Sequence, residues 1–203
     1  MLMQKKYDDA VVILGNGESR KGLNLEKVKA CYSVYGCNAL YRDFTPDLLF
    51  AMDKPMAIEL DSAGYGKTNR VISARADFCE GAEPWNGPTW MTGSCALLYA
   101  CREGLRTGKI KRIFLVGMDC SSNDNQMKNN IYRETLHYEG MAQPIAVSNR
   151  MAKEVSLCVE MFYPEIKFFH VDSKNKVIPV MLSHAFRTES ITLMSREDFE
   201  ETL

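Results

Sequence analysis

Apolar and polar positions alternate in blocks along the chain, and the sharpest block comes first. Residues 10–14, Ala-Val-Val-Ile-Leu, contain no polar break. A strand of that kind is buried on both faces, as in a parallel sheet covered by helices. It is cut off by Gly15-Asn16-Gly17-Glu18-Ser19. Two glycines let the backbone turn sharply and let a ligand approach main-chain N–H groups, and Ser19 is placed to cap whatever follows. Strand-favouring stretches recur at residues 31–37, 47–53, 70–74, 109–119 and 166–172, with a short extended piece at 177–180. Three of them end on a polar side chain, namely Asn38, Asp53 and Asp119. In an open α/β sheet the ligand lies outside the carboxyl ends of the strands, so those ends are where a nucleotide is expected.

Helical spacing separates the strands. Residues 23–29 make a short polar-faced element, 39–44 one or two helical turns before Thr45-Pro46, and 56–60 the start of a helix that stops near Gly64. The clearest helix spans 89–105, where Ala96, Leu97, Ala100, Cys101 and Leu105 share a face. Thr92 and Ser94 sit near its start, beside free backbone donors that favour an anion, although capping alone accounts for hydroxyls there. A long amphipathic helix fits 145–162, and Ser195 opens a small terminal helix. Residues 80–88 read as a glycine- and proline-marked loop carrying Trp85, and Trp85 and Trp90 are assigned to the core. Strands alternating with helices predict a single α/β domain over residues 1–203, Rossmann-like, with a mostly parallel sheet and helices on both faces. The polar, asparagine-rich stretch at 120–143 reads as a small lid or active-site loop.

Composition narrows the classes of function. A chain of 203 residues holds one sizeable core, and a formal net charge of -1 with scattered basic residues speaks against duplex nucleic acid as a partner. No apolar run reaches membrane-spanning length and the N-terminus lacks a signal-peptide core, so a cytoplasmic protein without a membrane span is expected. The seven cysteines include no Cys-x-x-Cys pair and read as reduced, buried thiols with no metal role.

The order of these motifs resembles the bacterial sialyltransferases that use sialic acid linked to cytidine monophosphate (CMP). Those enzymes open with a strand ending Gly-Asn-Gly-Pro-Ser, matched here by Gly15-Asn16-Gly17-Glu18-Ser19. A Cys-Asn strand end resembles Gly36-Cys37-Asn38, a Thr-Ser-Gly helix start resembles Thr92-Gly93-Ser94, and a Gly-Ile-Asp strand end resembles Gly117-Met118-Asp119. A terminal Ile-Lys-Phe-Tyr strand resembles Ile166-Lys167-Phe168-Phe169. The resemblance implies a nucleotide site built by Gly15, Asn16, Gly17, Ser19, Asn38, Asp53, Thr92, Gly93, Ser94, Gly117 and Asp119. It further implies transfer of a sugar from a nucleotide-sugar donor to a hydroxyl acceptor, with no cofactor and no divalent metal. A lid histidine serves as general base, for which His137 is the candidate and His184 the runner-up, and two lid tyrosines, Tyr132 and Tyr138, donate to the leaving phosphate. Oligomerisation would be in keeping with the same resemblance. The departures are Glu18 in place of proline and a short lid. More divergent relatives include a pterin pyrophosphokinase, so a Mg²⁺-dependent kinase using Asp53 and Asp119, or a nucleotide-binding protein without turnover, are the alternatives. His170, beside two phenylalanines on a strand, reads as structural.

Overall fold

The computed structural model describes residues 5–119, 130–138, 145–172 and 190–203. Its strands are β1 (Ala10–Leu14), β2 (Ser33–Cys37), β3 (Leu48–Ala51), β4 (Val71–Ser73), β5 (Glu83–Pro84), β6 (Arg112–Val116), β7 (Lys167–Asp172) and β8 (Ile191–Ser195). They form one eight-stranded sheet in the order β5-β4-β3-β2-β1-β6-β7-β8, with every pairing parallel. The helices are α1 (Leu25–Cys31), α2 (Lys54–Ser62), α3 (Thr92–Thr107), α4 (Ile145–Phe162) and α5 (Arg196–Glu201). The fold is Rossmann-like α/β.

The uninterrupted apolar run of β1 has a direct cause. Val11 and Ile13 face a cluster that includes Leu97 and Ala100 of α3 and Val155 and Val159 of α4. Ala10, Val12 and Leu14 face the opposite cluster, with Val28 of α1, Leu60 of α2 and Phe199 of α5. Both faces are covered, so no position tolerates a polar group. Val12, Ile13 and Leu14 are fully buried, and burial of each such side chain stabilises the fold by about 1.5–3 kcal/mol.

Chain order and strand order together create a crevice. The chain runs from β1 outward through β2, β3, β4 and β5, then returns through α3 and lays β6 on the other flank of β1. The direction reverses between β1 and β6, and a crevice opens there at the carboxyl ends of the strands. The turns after both strands belong to the expected nucleotide site.

Several expectations are sharpened or replaced. Residues 38–42 form a 3-10 turn, and within the 80–88 loop Glu83 and Pro84 add a two-residue edge strand, where proline is tolerated. β8 was not expected; it is an edge strand with Ile191 buried and Leu193 exposed. Ser19 caps nothing, since the 3-10 turn Glu18–Arg20 has no side-chain cap. Nor do Thr92 and Ser94 cap α3: its N-cap, Met91, donates its N–H to Glu154 of α4 at 2.9 Å. The expected strand at 177–180, His184, Cys120 and the parts of the lid at 120–129 and 139–143 lie outside the described residues.

Candidate functional site

The two turns at the crevice are interlocked by their main chains. Gly15 N–H donates to Val116 O at 2.9 Å and Gly17 N–H to Gly117 O at 2.8 Å. These two N–H groups are therefore spent on the sheet and are not held open for a ligand, which corrects the expectation from sequence. The glycines are required for the close approach itself. A Cβ on Gly15 would stand 2.3 Å from Gly117 O, and one on Gly17 would stand 2.4 Å from the carboxylate of Asp119. Gly117 adopts φ +64, in the left-handed region that glycine enters without strain. Asp119 in turn accepts from Ser19, from its N–H at 2.9 Å and from its hydroxyl. Ser19 thus ties the β6 turn to the β1 turn.

Asn16 and Arg20 fix this turn from behind. Asn16 donates Nδ2–H to Cys37 O at 2.9 Å, its Oδ1 accepts from Arg20 at 3.2 Å, and its main-chain O accepts from Ile131 N–H at 2.8 Å. Arg20 is 5% exposed, and it also donates to Gly15 O at 2.7 Å and to the Tyr132 hydroxyl at 3.3 Å. A buried guanidinium of this kind holds the Gly-Asn-Gly backbone at a set geometry. Arg20 carries no signal in the sequence beyond that of a basic residue just after the first strand's turn.

A cavity of about 610 Å³ opens in front of the two turns and runs along the carboxyl ends of the strands. Its size lies within the range of small-molecule sites, roughly 300–1,000 Å³. Of the expected residues, Gly15, Asn16, Gly17, Asn38, Asp53, Thr92, Gly93, Gly117, Asp119, His137 and Tyr138 line it. Ser19, Ser94 and Tyr132 do not; Ser19 is committed to Asp119, and Ser94 is fully buried one residue beyond the lining Gly93. Met118 packs so tightly on α3 that a Cβ at Gly93 would lie 2.5 Å from its sulfur.

Two polar features mark the cavity as a place for a ligand. Asn38 stands at φ 50, and its Oδ1 is buried without a hydrogen-bond partner. A buried polar atom left unpaired costs about 1–3 kcal/mol, which a ligand donor reaching it would relieve. The first turn of α3 adds main-chain donors. Its intrahelical bonds begin with Cys95 N–H to Met91 O at 2.9 Å, leaving the N–H groups of Thr92, Gly93 and Ser94 without an intrahelical acceptor. Such donors and the helix dipole together favour an anion.

Residues 130–138 form the near wall. Asn130, His137 and Tyr138 line the cavity. Burial pushes the Tyr138 hydroxyl up to about 12, so it is protonated at neutral pH. Tyr132 takes a different place. Its hydroxyl donates to Asp43 at 2.8 Å, and burial pushes it too up to about 12. His137 has φ 67, and its Nε2 lies 3.2 Å from the Glu59 carboxylate of α2. Glu18, the departure from proline, pairs with Arg133 at 3.4 Å and is not among the lining residues, so its charge is directed to this wall and away from the site.

The far end of the cavity differs from expectation. Trp85 and Trp90 pack on the core, as expected, and both also line the cavity together with Met52, Met151 and Arg150. Trp85 donates its indole N–H to Pro88 O at 2.9 Å, and Arg150 is paired with Glu154 at 2.9 Å. His170 faces Met118 O at 3.2 Å and is buried, as a structural histidine would be. The six described cysteines are free and buried, and among the described residues no group of three or more His, Cys, Asp or Glu is placed to hold a metal ion. No helix among them is long and apolar enough to cross a membrane.

Fold and cavity define a Rossmann-like α/β unit with a cleft at its topological switch point. No protein-family model matches the chain, and no curated protein matches its sequence. Among solved structures it is similar to the MAf glycosyltransferase from Magnetospirillum magneticum AMB-1, with a TM-score of 0.53 at 15% identity. The match covers 91% of this chain and 38% of the other, and at that identity the likeness is one of fold.

Proposed function

We propose that the chain is a glycosyltransferase that moves a sugar, sialic acid or a related acid, from a CMP-linked donor to a hydroxyl acceptor without a divalent metal. The observation that carries this reading is the meeting, in one cavity at the switch point, of the open first turn of α3 with the imidazole of His137. In the reaction the acceptor oxygen bonds to the anomeric carbon while the bond from that carbon to the phosphate oxygen breaks. The acceptor proton passes to His137, and the negative charge gathers on the departing phosphate. Main-chain N–H groups of Thr92 and Gly93 and the protonated hydroxyl of Tyr138 are the donors for that charge. Tyr132, bonded to Asp43 and Arg20, holds the wall in place and leaves the donor role to Tyr138. The likeness to a glycosyltransferase fold is in keeping with this chemistry.

The chain's two tryptophans both line the cavity, so their emission reports directly on its occupancy. CMP and a CMP-linked sialic acid, titrated in the presence of a chelator, are expected to change that emission. At a hundredfold excess over Kd they add about 2.7 kcal/mol, or roughly 5–11 °C in melting temperature. His137→Ala is expected to keep binding and lose release of CMP by a factor of about 10²–10⁴. Binding of only a triphosphate with Mg²⁺ overturns the reading in favour of the kinase alternative. Binding without turnover on any hydroxyl acceptor leaves a nucleotide-binding protein.

A further inference from the structure

His137 is held at φ 67, a conformation uncommon outside glycine, in a wall segment that one arginine grips. Arg42 donates to the Thr135 hydroxyl at 2.9 Å and to Leu136 O at 3.1 Å, immediately before the histidine. The same guanidinium clasps Glu59, from Nε at 2.8 Å and from Nη2 at 2.7 Å, and the Tyr41 hydroxyl donates to the same carboxylate at 2.5 Å. Glu59 is 13% exposed at its side chain, so this cluster is largely shielded from water. Burial raises its carboxyl, but the hydrogen bonds from Arg42 and Tyr41 outweigh it and hold the group below the usual carboxylate range. It is ionised at neutral pH. Its Oε2 then faces His137 Nε2 at 3.2 Å.

A carboxylate accepts and cannot donate, and two lone pairs 3.2 Å apart repel, so this approach favours a proton on Nε2. In the neutral ring the lone pair is then on Nδ1. We infer that Glu59 is the positioning residue of His137: it fixes the Nε2–H tautomer and leaves the lone pair on Nδ1 as the one that takes up a proton. The arrangement repeats the physical logic of a histidine base oriented by a carboxylate, assembled here from α2, the 38–42 turn and the wall segment. Arg42 serves both halves, keeping the carboxylate ionised and the histidine's backbone in place. The kinetic consequence rests on the proposed transferase reading; the tautomer does not.

The test is long-range ¹H–¹⁵N correlation of the imidazole rings in the full chain. It has only three histidines, so His137 is assigned by comparison with His137→Gln. The neutral ring is expected to carry its proton on Nε2. In Glu59→Gln the carboxamide oxygen stays at the Oε1 place with Tyr41 and Arg42 Nε, and its NH₂ takes the Oε2 place, giving up the bond from Arg42 Nη2 and facing Nε2, which moves the proton to Nδ1. The same tautomer in both proteins overturns the inference. Should Glu59→Gln fail to fold, Glu59→Asp retracts the charge by one methylene; loss of a protected Nε2–H resonance supports the bond and its persistence refutes it. Thr135→Val, which loosens the wall without touching the pair, is expected to leave the tautomer unchanged, and a switch there would mean that Arg42's grip alone sets the ring. In turnover, Glu59→Gln is expected to lower kcat by at least tenfold with little change in donor KM. A wild type that turns over no donor defeats the transferase reading and leaves the tautomer result standing. A wild type that turns over with an unchanged rate in Glu59→Gln defeats the positioning role alone.

Discussion

Gly17→Ala tests how the site is built, because its backbone and its surroundings make opposite demands. Gly17 has φ -65 and ψ 151, which any residue adopts, so the substitution carries no dihedral strain. The new Cβ would nonetheless lie 2.4 Å from Cγ and Oδ2 of Asp119 and 2.7 Å from Gly117 O. The carbonyl is main chain at the end of β6, so the carboxylate must give way. Moving it loosens its bonds from the Ser19 N–H and hydroxyl. Hydrogen bonds to a charged group contribute about 1.5–3 kcal/mol each and overpacking costs about 1–3 kcal/mol. Partial relaxation leaves a loss of about 3 kcal/mol, which for a chain of this length is roughly 6–12 °C in melting temperature. Calorimetry or a circular-dichroism melt measures it. Gly64→Ala is the contrast: at φ +63 with nothing within 4 Å of a Cβ, it isolates the backbone cost, which is about 1 kcal/mol. Combined with Asp119→Ala, Gly17→Ala is expected to cost less than the sum of the two single changes, since the nearer of the two clashing groups is gone and only the contact with Gly117 O is left. A Gly17→Ala protein that melts within about 1 °C of wild type refutes the account of the interlocked turns.

Two further outcomes follow from the same geometry. Arg20→Met keeps an unbranched stem against Gly117 but leaves Gly15 O, Asn16 Oδ1 and the Tyr132 hydroxyl short of a donor. A loss of about 2–4 kcal/mol is expected as a lower urea midpoint at unchanged slope, and an unmoved midpoint contradicts the role given to this guanidinium. The hydrogen bond from Arg112 holds the Asp9 carboxyl below its ordinary value of 3.8, against the opposing effect of burial. A depressed folded-state value means that the unfolded chain binds the proton first as pH falls. Its contribution is therefore present above pH 4 and lost as pH drops through and below that point. Asp9→Asn is expected to flatten the fall in melting temperature between about pH 5 and pH 3, and an identical slope in the two proteins argues against the pairing.

The sequence by itself determined the elements whose cause is local. β1 and β6 are legible because burial on both faces demands an unbroken apolar run, and α4 matches its expected bounds of 145–162 because its apolar spacing is sustained. Asn16, Asn38, Asp53 and Asp119 could be picked out because each ends a strand, and parallel strands put their ends on one edge. The tertiary structure decided what those residues do. That Gly15 and Gly17 exist for an approach between turns, that Ser19 is spent on Asp119, and that Glu154 accepts from the Met91 N–H at the start of α3 all depend on neighbours distant in the chain. Glu59, Arg42 and Arg20 carry no periodic or motif signal; only packing brings α2 and the 38–42 turn against the wall that holds His137 and Tyr132. Trp85 and Trp90 fit a core pattern because a ring that lines a cavity and packs on the core beneath it has the same sequence signature as one that is simply buried. Local pattern reports which face of an element is shielded from water. Which partner shields it, and whether that partner is protein or ligand, is set by the order of the strands and the crevice that order leaves open.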